Sequence, residues 1–483
     1  MTVRSVWRCA MGLTGVMLSA CAVGPEYRTP AVVTPPAFKE SLVSDGADPG
    51  WKAAEPKDDA LKGNWWEAYG DPQLTALEEQ VAVSNQNVGQ AEAEFRAARA
   101  AIGGARASLF PTVTVGAAAG ASRSSTNRST SGTATNRGVV ADYQLPLDVS
   151  YEADVWGSVR RSVQSSRALA QASAADLESV TLSLRAELAI DYFQLRALDA
   201  ERALLDSTVA AYDKALQLTV ARHDQGVASG SDVAQARTQL DTTRSQATDL
   251  GVSRAQFEHA IAILVGKPPA LLTIPPTALT GTPPSIPIAL PSALVERRPD
   301  VAGAERRVAA ANAQIGVAKA AFFPSVSLTG SGGLESAALA TLIGSGSGLW
   351  SIGSSVVATA FDGGRRRAAK QQAVAAHDAA VAVYREDVLA AFQDVEDNLA
   401  ALRILSEEAA QHADAVASSE ESLSLAMTRY QAGVTTYLEV ITAQSAALAN
   451  QITAVDILAR RMTASVQLIK ALGGGWDRAR LPA

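Results

Sequence analysis

Arg429 to Val440 reads RYQAGVTTYLEV, and Arg222 to Val233 reads RHDQGVASGSDV. Both fit Arg-x3-Gly-x5-Asp/Glu-Val. In each, a long helical pattern stops at a glycine (Gly226, Gly433) and a second one restarts at an acid (Asp232, Glu439). A terminating glycine followed by an acid at the next helix start describes a tight link between two helices. Two helical hairpins are therefore predicted. The two glycines stand 207 residues apart, the offset that also links Gly157 to Gly364 and Gly266 to Gly473, so a twofold internal repeat is predicted to span most of the chain.

Working outward from the turns, the chain from Arg160 to Arg222 has no proline and no glycine. Such a helix would be a rod of about 95 Å. Apolar residues recur at alternating three and four spacing, including Leu177, Leu184, Leu188, Leu195, Leu205 and Tyr212, which predicts a coiled-coil seam. The return helix is predicted over Asp232 to Val265, and its counterparts over Arg367 to Tyr430 and Glu439 to Leu472. Prolines from Pro268 to Pro291 forbid a helix there.

Strands precede each rod. From Tyr143 to Val155 apolar and polar residues alternate, as in a half-buried strand, and Thr112 to Ser122 alternates likewise, joined by a Ser/Thr/Asn/Gly loop. Ser325 to Thr329 and Trp350 to Ala360 predict a second hairpin. Phe110, Trp156, Phe322, Phe323 and Phe361 lie where strands meet helices, the place of an interfacial aromatic girdle or of ordinary core packing.

The 483 residues are 47% hydrophobic but only 5% aromatic, which suits long helices packed closely through small side chains. A net charge of −7 carries no polybasic footprint, so nucleic acid is set aside. Arg4 and Arg8 precede a short apolar run, Met11 to Leu18, the pattern of a secretory signal. The run ends Leu18-Ser19-Ala20-Cys21, which resembles the bacterial lipobox, where the cysteine is acylated; an ordinary signal with a chance cysteine is the alternative. Ala22, rather than an aspartate, resembles outer-membrane sorting. The implied organisation is a signal over 1–20, a lipid-anchored strap over 21–70, repeat one over 71–266 with its hairpin at about 112–155 and tip at 222–233, a connector over 267–297, repeat two over 298–473 with its hairpin at about 324–361 and tip at 429–440, and a tail over 474–483. In the strap, Trp65-Trp66 is expected to pack on helices, and Asp71-Pro72 to start a first helix running to about Leu109.

Two hairpins give four strands, too few to close a barrel, and an open sheet edge is not tolerated in lipid. The hairpins must pair with those of other copies. Strand arithmetic allows three copies and twelve strands or two copies and eight.

The lipobox, Trp65-Trp66 before Asp71-Pro72, Arg298-Pro299-Asp300, Ala320-Ala321-Phe322-Phe323-Pro324, Phe361-Asp362-Gly363-Gly364-Arg365 and the duplicated turns together resemble the outer-membrane efflux lipoproteins of the TolC-like superfamily (NodT-type) over nearly the whole chain. The resemblance implies a mainly α fold with membrane β: a homotrimer forming a twelve-stranded outer-membrane β-barrel continued by a long periplasmic α-helical barrel. It implies a passive duct exporting drugs, solvents or metal ions, partnered by a periplasmic membrane-fusion adaptor and an inner-membrane RND-type transporter. By position it makes Leu438 and Glu439 the constriction, Arg222, Tyr430 and Asp232 the ties, and the tips at Gly226, Val227, Gly433 and Val434 the adaptor contacts. Thr442 stands where several family members place a further carboxylate. Gly230 and Ser231 before Asp232 suggest a slacker first tip than the second, where Tyr437 and Leu438 precede Glu439.

No catalytic constellation is visible. His223, His259, His377 and His412 are scattered without metal-ligand spacing, and Gly344 to Gly348 lies between strands with no helix to receive a phosphate. No enzyme activity, metal or cofactor is expected beyond lipid on Cys21. A type I protein-secretion duct is the alternative within the channel class; a periplasmic coiled-coil adaptor is the alternative outside it.

Overall fold

The computed structural model describes residues 22–41, 63–123, 125, 139–286, 296–476 and 481–482. Cys21, the signal, the strap over 42–62, most of the first hairpin loop, residues 287–295 of the connector and half of the tail lie outside the described residues. The elements are α1 (Pro72–Ser84), α2 (Gln86–Ala107), β1 (Thr112–Val115), β2 (Ala118–Ser122), β3 (Val140–Ala153), α3 (Ser158–Asp224), α4 (Gly230–Leu264), α5 (Pro299–Ala320), β4 (Ser325–Ser336), β5 (Gly348–Val357), α6 (Arg365–Gln431) and α7 (Tyr437–Ala471). The series of strands, a 67-residue helix and a 35-residue helix occurs twice. The chain divides into two compact units.

The first unit holds residues 1–30, 96–172 and 305–383. Its sheet is antiparallel throughout, in the order β1-β3-β4-β5, with β2 also on β3. The predicted strand over Thr112 to Ser122 is two strands. Between them Gly116 donates its N–H to Pro146 O at 2.9 Å, and Pro146 has no N–H to return, so the ladder is interrupted without a change of register. The strand read as ending at Thr329 continues to Ser336. Its Gly330, Gly332 and Gly333 carry no alternation, yet Gly333 pairs across from Pro146, and a Cβ on it would lie 2.3 Å from Leu145 O. Every residue of β1, β2 and β5 is exposed in the single chain, Trp350 and Ile352 by 79% and 83%. The strap residues beside this sheet are held by Val23 N–H to Trp156 O at 3.0 Å, by Asn312 Nδ2 to Pro25 O at 3.3 Å, and by the Tyr27 hydroxyl on Glu305.

The second unit holds residues 31–95, 173–304 and 384–483. Its core gathers Trp65, Trp66, Leu74, Leu188, Tyr192, Phe193, Ile261, Val265, Val466 and Ile469. Asp71 caps α1, accepting from Gln73 and Leu74 N–H at 2.8 and 3.1 Å, and Tyr192 donates to its other oxygen at 2.6 Å. The single first helix predicted to Leu109 breaks at Asn85. Its side chain donates to Leu264 O at 2.8 Å and accepts from Asn87 N–H, so a tertiary bond and a new cap replace helix continuity. The seam along α3 is also broader than predicted. Ala186, Ala189, Tyr192, Phe193 and Ala197 are buried beside Leu188 and Leu195, because the tryptophans, α1 and the connector cover further faces; Arg202, at the same three-and-four spacing between Leu195 and Leu205, is exposed.

Glu78 of α1 is fully buried, and neither carboxyl oxygen has a hydrogen-bond partner among the described residues. Burial pushes its carboxyl well above the usual range, opposed by the charge of Arg185. The folded state therefore holds this proton to higher pH than the unfolded chain does. The contribution of Glu78 to stability is fully present below the ordinary carboxylate range and is lost as pH rises towards the raised folded value, by up to about 1.4 kcal/mol per pH unit. Glu78→Gln is expected to remove this slope in thermal unfolding between pH 4 and 8. An unchanged slope would assign it to another group.

Candidate functional site: the two helical-hairpin turns

Both turns use the same backbone solution. Gly226 has φ +75° and Gly433 +76°, a conformation L side chains resist. Gly226 N–H bonds His223 O and Val227 N–H bonds Arg222 O, both at 2.8 Å; Gly433 and Val434 bond Tyr430 O and Arg429 O, both at 3.0 Å. Each is a Schellman end that satisfies the last carbonyls of a rod.

The restarts differ. Ser229 caps α4, receiving Asp232 N–H at 3.2 Å while the Asp232 carboxylate accepts Ser229 N–H at 2.9 Å, a complete capping box. Thr436 caps α7 with no side-chain bond, and Glu439 instead pairs with Arg429 Nη1 at 3.6 Å. The expectation of a slacker first tip is thus reversed in local bonding: the first restart is fully capped and the second is not. Asp232 makes a cap and, among the described residues, shows no bond to the other hairpin. Arg429, the motif's own first residue, is the partner that sequence reasoning missed, because the ion pair bridges the glycine turn rather than one helix face.

The first hairpin packs on an aromatic pair of the second. Tyr430, Tyr437, Val440 and Ala236 form a buried cluster, with the tyrosine ring centroids 5.3 Å apart. Arg222 donates Nη1 to Tyr430 O at 2.7 Å and lies over the Tyr430 ring at 4.6 Å. The Tyr430 hydroxyl is 3.3 Å from Thr219 Oγ1. Burial, reinforced by Tyr430 and Tyr212, raises the Tyr437 hydroxyl to about 12, so it stays neutral. The opposite face of α7 is open: Leu438 is 59% exposed, and Glu439 and Thr442 are exposed, with Thr442 Oγ1 donating to Leu438 O at 2.9 Å. Val227 and Val434 project from the turns, 63% and 69% exposed.

The junction aromatics separate into two kinds. Phe110 and Phe361 are 68% and 88% exposed. Trp156 donates Nε1 to Pro324 O at 2.7 Å and stacks on Phe323 at 4.7 Å, so it also pins the two halves of the sheet's base together. Among the described residues no His/Cys/Asp/Glu group could hold a metal, and no helix is long and apolar enough to cross a membrane.

An antiparallel sheet with exposed apolar faces, joined to paired 67-residue helices that end in tied hairpins, defines a protein of the TolC-like channel class. The family model described as "Outer membrane efflux protein" matches residues 77–267 and 290–474, and the chain belongs to that family. The probable efflux pump outer membrane protein SepC of Pseudomonas putida is 33% identical over 464 residues, covering 96% of this chain and 95% of its own length. Outer membrane protein OprJ of Pseudomonas aeruginosa is 32% identical, covering 97% and 96%. The solved outer-membrane channel OprN superposes with a TM-score of 0.85 at 32% identity, covering 94% of this chain and 100% of that one; the Campylobacter jejuni CmeC channel, at 23% identity, shares the fold with a TM-score of 0.87. The protein is an outer-membrane component of an efflux pump.

Proposed function

We propose that three copies form a passive duct, with the sheets closed into a twelve-stranded barrel and the helices forming a periplasmic tunnel, closed at the hairpin turns and anchored by lipid on Cys21. The observation that carries the gate is the division of α7. Tyr437 and Val440 are 1% and 0% exposed within one chain, whereas Leu438 and Glu439 between them face outward. An apolar side chain and an acid on the open face of a tied turn suit a narrow, cation-attracting mouth around a threefold axis. A periplasmic adaptor engaging Val227 and Val434 would bias the mouth towards opening, and an inner-membrane RND-type transporter would deliver cargo. Ala22 packs against Gly157, where β3 gives way to α3, which would enter an acyl chain on Cys21 beside the sheet.

The relatives' names include toluene, solvent and antibiotic efflux pumps. Small apolar or amphipathic cargo is the corresponding reading for this chain, with selection made by the transporter. Planar-bilayer recording tests the gate. Glu439→Gln is expected to lower cation over anion permeability by severalfold, and Leu438→Ala to raise closed-state conductance. Unchanged selectivity and conductance in both variants would remove the gate from this turn.

A further inference from the structure

Cations recur at one spacing where the helices of the first unit meet the sheet. Arg106 stands four residues before Phe110, Arg160 four after Trp156, Lys319 four before Phe323 and Arg365 four after Phe361. Residues 105–111, 154–161, 318–324 and 358–371 hold eight cations against two acids, in a chain whose net charge is −7. Both acids are already engaged: Asp154 with Arg160 at 3.1 Å, and Asp362 with Arg366 at 2.7 Å. Each also accepts backbone N–H groups at the start of α3 or α6. Arg106, Lys319, Arg365, Arg367 and Lys370 are exposed and form no ion pair among the described residues.

Helix chemistry does not account for the richest part of this belt. The first turns of α4 and α7 carry acids, as the helix dipole favours, whereas that of α6 carries Arg365, Arg366 and Arg367 and no acid. Asp362 ahead of the helix answers only part of this charge, being paired with Arg366 and leaving Arg365 and Arg367 against the dipole. They adjoin Phe361, 88% exposed, and the wholly exposed strand β5, with Val356 and Val357 exposed by 69% and 60%. An apolar strand, then an aromatic ring, then a cluster of cations reproduces the order of acyl chain, interface and anionic headgroup across one membrane leaflet.

We infer that the junction cations, above all Arg365, Arg367 and Lys370, bind the phosphate headgroups of anionic phospholipid in the periplasmic leaflet of the outer membrane. The inference rests on the sheet being the membrane-embedded part. Such contacts fix the depth of the sheet in the bilayer and the height at which the helices emerge.

Native mass spectrometry of the full chain in neutral detergent tests it, with phosphatidylglycerol and phosphatidylethanolamine of identical acyl chains as probes. Each cation near a headgroup contributes roughly fivefold in affinity before screening, so three are expected to give phosphatidylglycerol a preference of at least about tenfold. Arg365→Gln/Arg367→Gln/Lys370→Gln should lose that preference, whereas Arg365→Lys/Arg367→Lys should keep it. Arg96→Gln/Lys214→Gln/Arg237→Gln removes three exposed cations elsewhere and should keep it too. Equal binding of the two lipids by the unmodified protein overturns the inference. So does a preference that survives the triple glutamine variant, including the case in which that variant only changes the oligomeric mass and the cations serve a second copy. Bilayer conductance of the same preparations separates the two readings: protein that conducts without lipid preference refutes the headgroup belt alone, and unmodified protein that neither inserts nor conducts refutes the channel.

Discussion

Gly473→Ala is expected to leave no stably folded protein. Gly473 ends α7 at φ +90°, and a Cβ there would lie 2.1 Å from Arg297 O and 2.8 Å from its carbonyl carbon. Both neighbours are backbone, so no rotamer change relieves the contact, and the segment leading into α5 would have to shift. Left-handed strain and this overlap together cost upwards of about 4 kcal/mol, a large part of a typical folding free energy. Gly266, 207 residues earlier, meets Ser84 O at 2.1 Å and is expected to behave alike. The contrast is Gly251, inside α4 with nothing within 4 Å of a built Cβ. There alanine should stabilise by about 0.5–1 kcal/mol through helix propensity. Denaturant titration of the detergent-solubilised protein distinguishes the three. A Gly473→Ala protein as stable as Gly251→Ala would mean that the α7 end is not packed as described.

Loss of Arg222 is expected to open the turns. Its guanidinium donates to Tyr430 O at 2.7 Å and more weakly to Gln431 O at 3.4 Å, and covers the Tyr430 ring, joining the hairpin of α3 and α4 to that of α6 and α7. A hydrogen bond from a charged group is worth about 1.5–3 kcal/mol, so Arg222→Ala should raise the open-to-closed ratio by roughly ten- to a hundredfold in single-channel records. Arg222→Lys keeps the charge but not the planar stacking and should fall between. Tyr430→Ala removes a ring that is 4% exposed from the same cluster, with about 3–4 kcal/mol lost locally, and should loosen the turn at least as far. Arg222→Ala and Tyr430→Ala channels that open no more often than the unmodified one would show that these contacts hold one chain together without holding the mouth shut.

What could be read from the sequence was local. The glycines at 226 and 433, the acids that follow them, the absence of proline and glycine along the rods and the period-two run before Ala153 each act within a few residues of chain. What escaped was tertiary. Nothing near Asn85 announces a break, because its carboxamide is matched to Leu264 O, 179 residues away. The glycines of β4 carry no alternation, and their strand exists because β3 and β5 supply partners on both edges. The buried surface of α3 is wider than its three-and-four spacing predicts because a strap and a connector, neither periodic, cover its other faces. At the candidate site the motif located the turns, but it could not tell that Asp232 closes a cap while Glu439 faces Arg429.

That difference between the two restarts matters for how such a mouth can change over generations. In the trimeric reading six hairpins surround the axis but only three carry Leu438 and Glu439, because the first copy has Ser231 and Asp232 at the matching positions. One codon therefore alters three sides of the ring and leaves three untouched. The aperture can be retuned in half-steps, with the capped copy preserving the scaffold while its duplicate drifts.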